Sequence, residues 1–324
     1  MKRIVVLTSG GDSPGMNAAI RAIARAGIYQ GLEVFGCQLG FQGLIDQKIT
    51  PLLAENVANC IQLGGTILKA DRCLAFYQKE VRDQCRAFLE AQKIDGLIIL
   101  GGNGSFRGAS LLASEGNRKP AVIGIPCTID NDIVGTAYTI GFDTARNTAL
   151  QAIDRIRDTA SSHNRHFLVE VMGRHSGFLA IDVGIAGGAE IILIPEYDLP
   201  LQKVADRLMK RRQSKLSSII IVAEADKPGR SMKMAEELHH LTELPFRVCI
   251  LGHTQRGGSP TTEDRKRAST MGYLAVKALL AGENGKMLCL NNDQLSLTPF
   301  PQIDETERTF KDKDLLEMND ILCA

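Results

Sequence analysis

Short apolar runs recur along the chain, and each of them ends in glycine or polar residues. Ile4–Leu7, Gly96–Leu100 and Ala121–Gly124 are continuous apolar runs, which are typical of strands covered on both faces. Amphipathic helices are predicted between such runs, near Ala18–Tyr29 and Lys79–Lys93. Strands that alternate with helices predict a doubly wound, parallel α/β sheet. The other elements predicted in this half are a strand at Glu33–Cys37, a helix near Asn56–Leu63 and a helix from about Ala109.

The same alternation starts again after a predicted helix near Asp143–Asp158. The strands predicted in this second series are Phe167–Val171, Ile191–Ile194, Ser218–Val222 and Arg247–Leu251. No linker rich in proline or serine separates the two series, so we expect two Rossmann-like α/β domains packed across an active-site cleft. Residues 1–140 and about 257–300 are predicted to form the larger domain. Residues 141–256 and about 301–324 are predicted to form the smaller domain, although the last forty or so residues show only weak patterning.

Composition and charge argue against several classes of protein. The chain has 324 residues and a formal net charge of +1, which gives no global attraction to nucleic acid or to an anionic membrane. No apolar stretch approaches the roughly 20 residues of a transmembrane helix, and a strand is predicted too early for a signal peptide. Eight cysteines without a Cys-x-x-Cys pair favour buried, reduced thiols. We therefore expect a cytoplasmic protein with no nucleic-acid or membrane partner.

A glycine-rich loop, Ser9–Asn17, follows the first predicted strand and precedes a helix. Loops of this kind bind phosphate, because free backbone N–H groups and the helix dipole attract an anion. The loop lacks the Gly-Lys-Ser/Thr end of a Walker A motif, and no Gly-x-Gly-x-x-Gly fingerprint follows any strand. The pattern therefore indicates a phosphate without identifying it and argues against a dinucleotide oxidoreductase. A tight turn without a ligand is the alternative.

Polar residues follow the other predicted strands, and the two halves of the chain differ in their chemistry. Parallel α/β sheets bind ligands at the carboxyl ends of their strands, although Asp and Asn there often only form a turn. The first half offers glycines together with Asp12, Arg72, Asn103, Ser105, Asp130 and Asp132. This set suits a polyphosphate with a divalent metal ion.

The second half of the chain offers cations and one glutamate at its predicted strand ends. These residues are Arg165, Met172, Arg174, Glu224, Arg247, His253 and Arg256. Arginine forks bind a phosphate in a bidentate manner and glutamate accepts hydrogen bonds from hydroxyls, so the set suits a sugar phosphate. The first half suits a phosphoryl donor and the second half suits a phosphoryl acceptor, so the two halves together predict phosphoryl transfer. Asp130 is then the base that takes a proton from the acceptor hydroxyl.

Five motifs in consistent order resemble the bacterial-type ATP-dependent 6-phosphofructokinases, and the resemblance runs from Lys2 to about Leu280. The motifs are Thr8–Asn17, Gly101–Ser105, Pro126–Asp132, Val171–Arg174 and Leu251–Pro260. The resemblance implies transfer of the γ-phosphoryl group of ATP to the 1-hydroxyl of fructose 6-phosphate, a step of glycolysis. It also implies Mg²⁺, a homotetramer whose active sites are shared between subunits, and allosteric control.

The resemblance also implies roles for individual residues. Asp130 would be the proton acceptor, and Asn103 and Asp132 would lie near the metal ion. The residues implied for ATP are Gly11, Arg72, Cys73, Gly102, Asn103, Gly104 and Ser105. Those implied for fructose 6-phosphate are Thr128, Ile129, Asp130, Arg165, Met172, Gly173, Arg174, Glu224, Arg247, His253, Thr254, Gln255 and Arg256, of which Arg165 and Arg247 would come from a neighbouring subunit.

Two loop positions bear on the phosphoryl donor and on the metal ion. Pyrophosphate-dependent relatives carry Asp and Lys where this chain has Gly104 and Cys127, and those larger side chains would occlude a nucleotide, so ATP is favoured. Asn103 replaces the Asp that the resemblance leads us to expect and removes a negative charge from the metal site. A pyrophosphate-dependent enzyme and a catalytically weakened regulatory paralogue therefore remain alternatives.

An effector site between subunits is also implied. Its residues would be Arg21, Arg25, Arg157, Glu190 and Lys215, all present in the chain. Ala54-Glu55 and Gln213 replace residues that are usually basic or aromatic. Because an anion site that loses cations loses affinity, we expect weak or altered effector control.

Overall fold

Two units make up the chain in the computed structural model, which describes residues 1–115, 120–211, 217–224, 229–301 and 307–323. The first unit contains Met1–Ile129, Ile133–Thr144 and Arg256–Glu307, and the second contains Asp130–Asp132, Ala145–Gln255 and Arg308–Ala324.

The described residues form eleven strands and ten α-helices. The strands are β1 (Arg3–Thr8), β2 (Glu33–Cys37), β3 (Ile49–Pro51), β4 (Gly96–Gly101), β5 (Ala121–Pro126), β6 (His166–Val171), β7 (Ile191–Leu193), β8 (Ser218–Ala223), β9 (Phe246–Ile250), β10 (Lys286–Asn291) and β11 (Gln294–Pro299). The helices are α1 (Met16–Tyr29), α2 (Gly40–Ile45), α3 (Lys79–Ala91), α4 (Asn103–Ser114), α5 (Phe142–His163), α6 (Phe178–Ala186), α7 (Leu201–Arg211), α8 (Arg230–Thr242), α9 (Thr262–Leu280) and α10 (Lys313–Leu322).

The first unit is built on a seven-stranded sheet in the order β11-β10-β5-β4-β1-β2-β3. Its five central strands are parallel, and β3 and β11 pair antiparallel to their neighbours at the two edges. Alternate side chains of β1 enter different cores, since Ile4 and Val6 pack with α1 and α9 whereas Val5 and Leu7 pack with α3 and α4. Apolar runs in these strands therefore reflect burial on both faces, as the sequence predicts.

The second unit contains a smaller sheet, in the order β7-β8-β6-β9, in which all pairs are parallel. One of its faces packs Leu168 and Ile220 against Val204 of α7 and Leu238 of α8. The predicted class, α/β with two Rossmann-like units, is confirmed by this topology.

Two predicted helices differ from the structure. The helix predicted from Ala109 begins at Asn103, because Gly102 has the extended conformation of a helix cap and the glycine motif itself forms the first turn of α4. The helix predicted near Asn56–Leu63 is replaced by turns. Asn59 lies there at a φ of 53°, in the left-handed region that ends a right-handed helix.

Across the described ranges, none of the helices combines the length and the apolar character that would let it cross a membrane.

A buried carboxylate, Asp264, fixes the start of α5 within the first unit. It is fully buried, and its oxygens accept hydrogen bonds from the backbone N–H of Gly141 at 2.9 Å and of Thr144 at 2.8 Å, and from the Thr144 hydroxyl at 2.6 Å. Burial raises the pKa of Asp264, and these hydrogen bonds oppose that shift. Thr261, which caps α9, donates through its backbone N–H to the Thr144 hydroxyl at 3.0 Å. The first turns of α5 and α9 are thus joined.

We expect Asp264→Ala to destabilise the first unit. It leaves the buried N–H groups of Gly141 and Thr144 without their acceptor, which costs about 2–4 kcal/mol. Glu263→Ala is the matched control in the same helical turn, because Glu263 is 43% exposed and only pairs with Arg267, so its loss costs less than about 1 kcal/mol. Urea denaturation followed by circular dichroism measures both. Equal losses of stability would show that Asp264 has no anchoring role.

Candidate active site

The glycine-rich loop of the first unit connects β1 to α1. Gly10 and Gly15 have φ of 85° and 106°, and no side chain caps the helix. The first N–H groups of α1 therefore face the loop without a side-chain acceptor, which is the arrangement that favours an anion. A Cβ at Gly15 would lie 2.6 Å from Ile140 Cγ2, so a larger residue would displace the packing beneath the loop.

Arg256 lies against this loop in the same unit. Its Nη1 donates to the carbonyl oxygen of Asp12 at 3.0 Å, and a Cβ at Gly11 would lie 2.7 Å from Nη1. The sequence grouped Arg256 with the sugar-phosphate residues. The structure adds that its guanidinium reaches the glycine loop assigned to the nucleotide.

A second loop, Gly101–Ser105, lies beside the first one. Ser105 Oγ donates to the carbonyl oxygen of Ser9 at 3.0 Å and joins the two loops. Only glycine fits at position 101, since a Cβ there would lie 2.5 Å from Ser105 Oγ. A Cβ at Gly102 would lie 3.7 Å from Thr128 Cβ, so Thr128 borders the same loop. Residues 9–11, 101–105 and 128 are thus brought together.

The segment Asp71–Tyr77 borders both loops. The Asp71 carbonyl oxygen accepts from Gly10 N–H at 3.1 Å, which places Arg72 and Cys73 next to the first loop. Burial raises the pKa of the Cys73 thiol, which disfavours the thiolate. Tyr77, a residue that sequence reasoning missed, donates its hydroxyl to the Gly104 carbonyl oxygen at 2.9 Å. The signal available in the sequence was an aromatic residue four positions after Cys73.

The segment Asp130–Asp132, here called the catalytic loop after the candidate base Asp130, belongs to the second unit. Its three residues are at most 5% exposed, which is unusual for polar side chains. Asn131 has a φ of 53°, a left-handed conformation that asparagine tolerates better than most residues. Ser176 Oγ donates to the Asp130 carbonyl oxygen at 2.8 Å. The loop is therefore a specific, folded structure in which the Asp130 backbone is held by the segment after β6.

Met172, Gly173, Arg174 and Glu224 gather at the carboxyl ends of β6 and β8. These two strands pair Val171 with Ala223, and Glu224 N–H donates to the Val171 carbonyl oxygen at 2.9 Å. The backbone N–H of Arg174 donates to Glu224 Oε1 at 3.4 Å. A Cβ at Gly173, whose φ is 141°, would lie 2.6 Å from the Ser176 carbonyl oxygen, so glycine is required for this turn.

The prediction that Arg165 and Arg247 lie at carboxyl strand ends is wrong. Arg165 immediately precedes β6 and Arg247 is the second residue of β9, where it pairs with Phe167. Both lie at the amino-terminal edge of the sheet, and the six residues of β6 separate that edge from Met172. At about 3.3 Å per residue this is roughly 20 Å. The sequence marks where strands occur, and a residue just before a strand is easily assigned to the wrong edge.

His253, Thr254 and Gln255 form a 3₁₀ turn, Gly252–Arg256, after β9. Thr254 Oγ1 donates to the Leu251 carbonyl oxygen at 2.7 Å, and the buried Gln255 donates from Nε2 to the Gly252 carbonyl oxygen at 3.1 Å. Both side chains thus support the turn, whereas the His253 side chain is exposed.

The residues implied for an effector are only partly brought together. Arg157 lies 3.6 Å from Glu190 and donates to the carbonyl oxygens of Gly187 and Gly188. Arg21 and Arg25 lie on α1 of the other unit. Lys215 and Gln213 lie outside the described residues.

Within the parts of the chain that the structure describes, no three His, Cys, Asp or Glu residues are grouped so that their side chains alone could hold a metal ion.

The phosphofructokinase family model matches residues 3–279 of the chain. The chain belongs to the phosphofructokinase family. It is 54% identical over its full length to an ATP-dependent 6-phosphofructokinase of Coxiella burnetii, and the match covers 99% of that protein. It is 49% identical over 99% of its length to ATP-dependent 6-phosphofructokinase 1 of Thermus thermophilus, again over 99% of the relative.

Solved phosphofructokinases share the fold. The Pichia pastoris enzyme in its T-state matches 92% of the chain with a TM-score of 0.86 and 34% identity, and this chain spans about a third of its length (35%). A pyrophosphate-dependent phosphofructokinase from Marinobacter aquaeolei matches the whole chain with a TM-score of 0.85 and 92% of its own length, but at 21% identity it shows the fold alone. The fold of the phosphofructokinase family thus does not separate ATP from pyrophosphate, and the loops have to do so.

Proposed function

We propose that this phosphofructokinase-family chain is an ATP-dependent 6-phosphofructokinase. It would transfer the γ-phosphoryl group of ATP to the 1-hydroxyl of fructose 6-phosphate. This reaction is a step of glycolysis, and it would take place in the cytoplasm. The observation that carries the proposal is the junction of the two glycine loops by Ser105 and Ser9, with Thr128 beside them. Eight relatives named ATP-dependent 6-phosphofructokinases, 46–54% identical to the chain, support the choice of donor.

The first unit would bind ATP. Its polyphosphate would accept hydrogen bonds from the N–H groups of the two glycine loops, and the positive ends of α1 and α4 would favour the negative charge. Arg72 and Arg256 would neutralise charge that builds up on the transferred group. Because Gly11, Gly102 and Gly104 carry no side chain, the polyphosphate could approach the backbone there. Cys73 and Ser105 would line the same loops.

Asp130 would act as the general base. As the 1-hydroxyl oxygen of fructose 6-phosphate attacks the γ-phosphorus, its proton passes to the Asp130 carboxylate. The bond from the γ-phosphorus to the bridging oxygen breaks with its electron pair, and ADP leaves. Thr128 and Ile129 precede the base and would contact the sugar. Because this chemistry depends on position, the buried, hydrogen-bonded loop suits the role.

Fructose 6-phosphate would be bound mainly by the second unit. Arg174 would bind the phosphate and Glu224 a sugar hydroxyl, with Met172 and Gly173 shaping the pocket and His253, Thr254 and Gln255 beside it. Arg165 and Arg247, at the opposite edge of the sheet, would serve a neighbouring subunit of a homotetramer. Their distance from Met172 supports that division.

Mg²⁺ fits the oxygen donors of the proposed site. Magnesium is usually held by one or two carboxylates together with substrate phosphates and water, so it needs no cage of three protein ligands. The Asn103 amide oxygen at the start of α4 and the Asp132 carboxylate would be the protein donors. When bound, the ion would neutralise charge on the β- and γ-phosphates.

Effector control is proposed to be weak or altered. An anionic effector and its metal ion could bind at the pair formed by Arg157 and Glu190. Arg21, Arg25 and Lys215 would join this site where subunits are in contact. Glu190 already accepts a hydrogen bond from Ile219 N–H at 2.6 Å.

A turnover assay tests the proposed function. Purified protein with fructose 6-phosphate should use ATP and not pyrophosphate, as measured by coupled detection of fructose 1,6-bisphosphate. Asp130→Asn should lower kcat by about 10²–10⁴-fold, because a general base is lost. Transfer no faster than in buffer at high Mg²⁺, or faster transfer from pyrophosphate, would contradict the proposal.

Gly104→Asp tests whether the second loop meets the polyphosphate. A carboxylate at the start of α4 would repel the donor, so KM for ATP should rise at least about tenfold, equal to about 1.4 kcal/mol. Gly104→Ala is the matched control, because its Cβ would make an ordinary contact, 3.4 Å from the Tyr77 hydroxyl, and KM should change little. Equal effects of the two variants would show that the phosphates lie elsewhere.

Asn103→Asp tests the metal donor. A carboxylate adds charge toward Mg²⁺, so the Mg²⁺ concentration for half-maximal activity should fall by roughly one order of magnitude. An unchanged Mg²⁺ dependence would exclude position 103 as a metal ligand and would remove the main argument for a weakened paralogue.

A further inference from the structure

The backbone of the catalytic loop is held by hydrogen bonds to three consecutive carbonyl oxygens. The Asp130 oxygen accepts from Ser176 Oγ at 2.8 Å. The Asn131 oxygen accepts from Arg308 Nη1 at 3.4 Å, and the Asp132 oxygen accepts from the backbone N–H of Arg308 at 2.8 Å. One residue near the end of the chain, 177 positions from Asn131, therefore supplies two of these three bonds.

Arg308 is itself fixed by its neighbours within the second unit. Its guanidinium carbon lies 4.4 Å from the centroid of the Phe178 ring, a cation–π contact. The Phe310 ring packs edge-on against the same ring at 5.9 Å. Phe178 begins α6 and lies only two residues after Ser176. Ser176 and Arg308, which hold the catalytic loop from both sides, are therefore both anchored at the start of α6.

A carboxylate joins this support to the C-terminal segment. Glu196 Oε1 accepts from the backbone N–H of Gly177 at 2.9 Å and from that of Phe310 at 3.1 Å. The segment Arg308–Phe310, here called the C-terminal clamp, is therefore tied at both ends. Arg308 is bonded to the catalytic loop, and Phe310 is buried and bonded to Glu196.

The conformation of the catalytic loop explains why such a clamp is needed. Asn131 has a left-handed backbone, which costs less in asparagine than in most non-glycine residues but is still retained only where the surroundings favour it. A loop held only by its own residues would relax away from it. Phosphoryl transfer in turn loses rate steeply when the base moves, by about a hundredfold for 1 Å.

We propose that Arg308 is a positioning residue for the general base. It acts through the backbone of residues 131 and 132, keeps the Asp130 carboxylate in place for proton removal, and touches neither substrate. The inference rests on the proposed function for its kinetic consequence, whereas its structural part, that Arg308 holds the catalytic loop, stands on the contacts alone.

Arg308→Met is the first test. Methionine keeps an apolar chain on Phe178 and removes the guanidinium with its bond to the Asn131 oxygen, whereas the backbone bond to the Asp132 oxygen remains. We expect kcat to fall by about 10–100-fold, while KM for ATP and for fructose 6-phosphate stays within about threefold, because the base moves and the binding groups do not. Arg308→Lys keeps a cation and a donor that can reach the Asn131 oxygen, and it should recover a measurable part of kcat.

Lys313→Met is the matched control. Lys313, five residues after Arg308, also places a cation over an aromatic ring, 4.9 Å from the centroid of Tyr197, and within the described residues none of its contacts involves the catalytic loop. Its kcat should equal that of the unmodified chain. A normal kcat in Arg308→Met, or an equal loss in Lys313→Met, would overturn the proposal.

Hydrogen–deuterium exchange supplies a readout that does not depend on catalysis. Peptides that cover residues 128–134 should exchange faster in Arg308→Met, while peptides from β6 and β8 keep their protection. Unchanged exchange of the loop, or faster exchange throughout the second unit, would refute a specific positioning role. If the unmodified protein transfers no phosphate, the proposed function fails, and the exchange experiment alone decides whether Arg308 holds the loop.

Discussion

The first unit depends on one constraint, the buried carboxylate of Asp264 at the junction of α5 and α9. Its bonds to Gly141 and Thr144 fix the segment that follows the end of β5. That segment is bonded both to the end of β5 and to the residues after it, since Ile140 N–H donates to the Pro126 carbonyl oxygen at 2.9 Å and Thr139 Oγ1 donates to the Thr128 carbonyl oxygen at 2.6 Å. The position of Thr128 beside the glycine loops therefore depends, through this segment, on the buried carboxylate of Asp264. Burying that charge is unfavourable, which its raised pKa records, and three neutral donors offset much of the cost.

Local chemistry determines how much of the site could be predicted from the sequence. The glycine positions were predictable, because a Cβ at Gly101 would clash with the Ser105 side chain and a Cβ at Gly173 with the Ser176 carbonyl oxygen, each within four residues in the sequence. The proximity of Arg174 and Glu224 was also predictable, since both lie within three residues of the ends of the paired strands β6 and β8. Buried parallel strands are likewise encoded locally, by apolar residues on both faces.

The residues that the sequence did not reveal act over long distances in the chain. Asp264 meets its partners more than a hundred residues away, and Arg308 meets Asn131 at a separation of 177 residues. Each looks like an ordinary surface charge in its own segment, because Glu263 and Glu307 stand next to them in the sequence. The placement of Arg165 and Arg247 was predicted wrongly for a different reason. Apolar periodicity locates a strand, but it does not show at which end of the strand a flanking cation contributes to a site.

The path of the chain explains why the proposed catalytic groups lie where they do. The chain passes from one unit to the other after residues 129, 132, 144, 255 and 307. Asp130, Asp132, Arg256 and Arg308 each adjoin one of these points. A residue at such a point is joined covalently to both units, so the path of the chain on each side constrains its backbone. Arg308 adds two hydrogen bonds to this constraint, one to the Asn131 carbonyl oxygen and one to the Asp132 carbonyl oxygen.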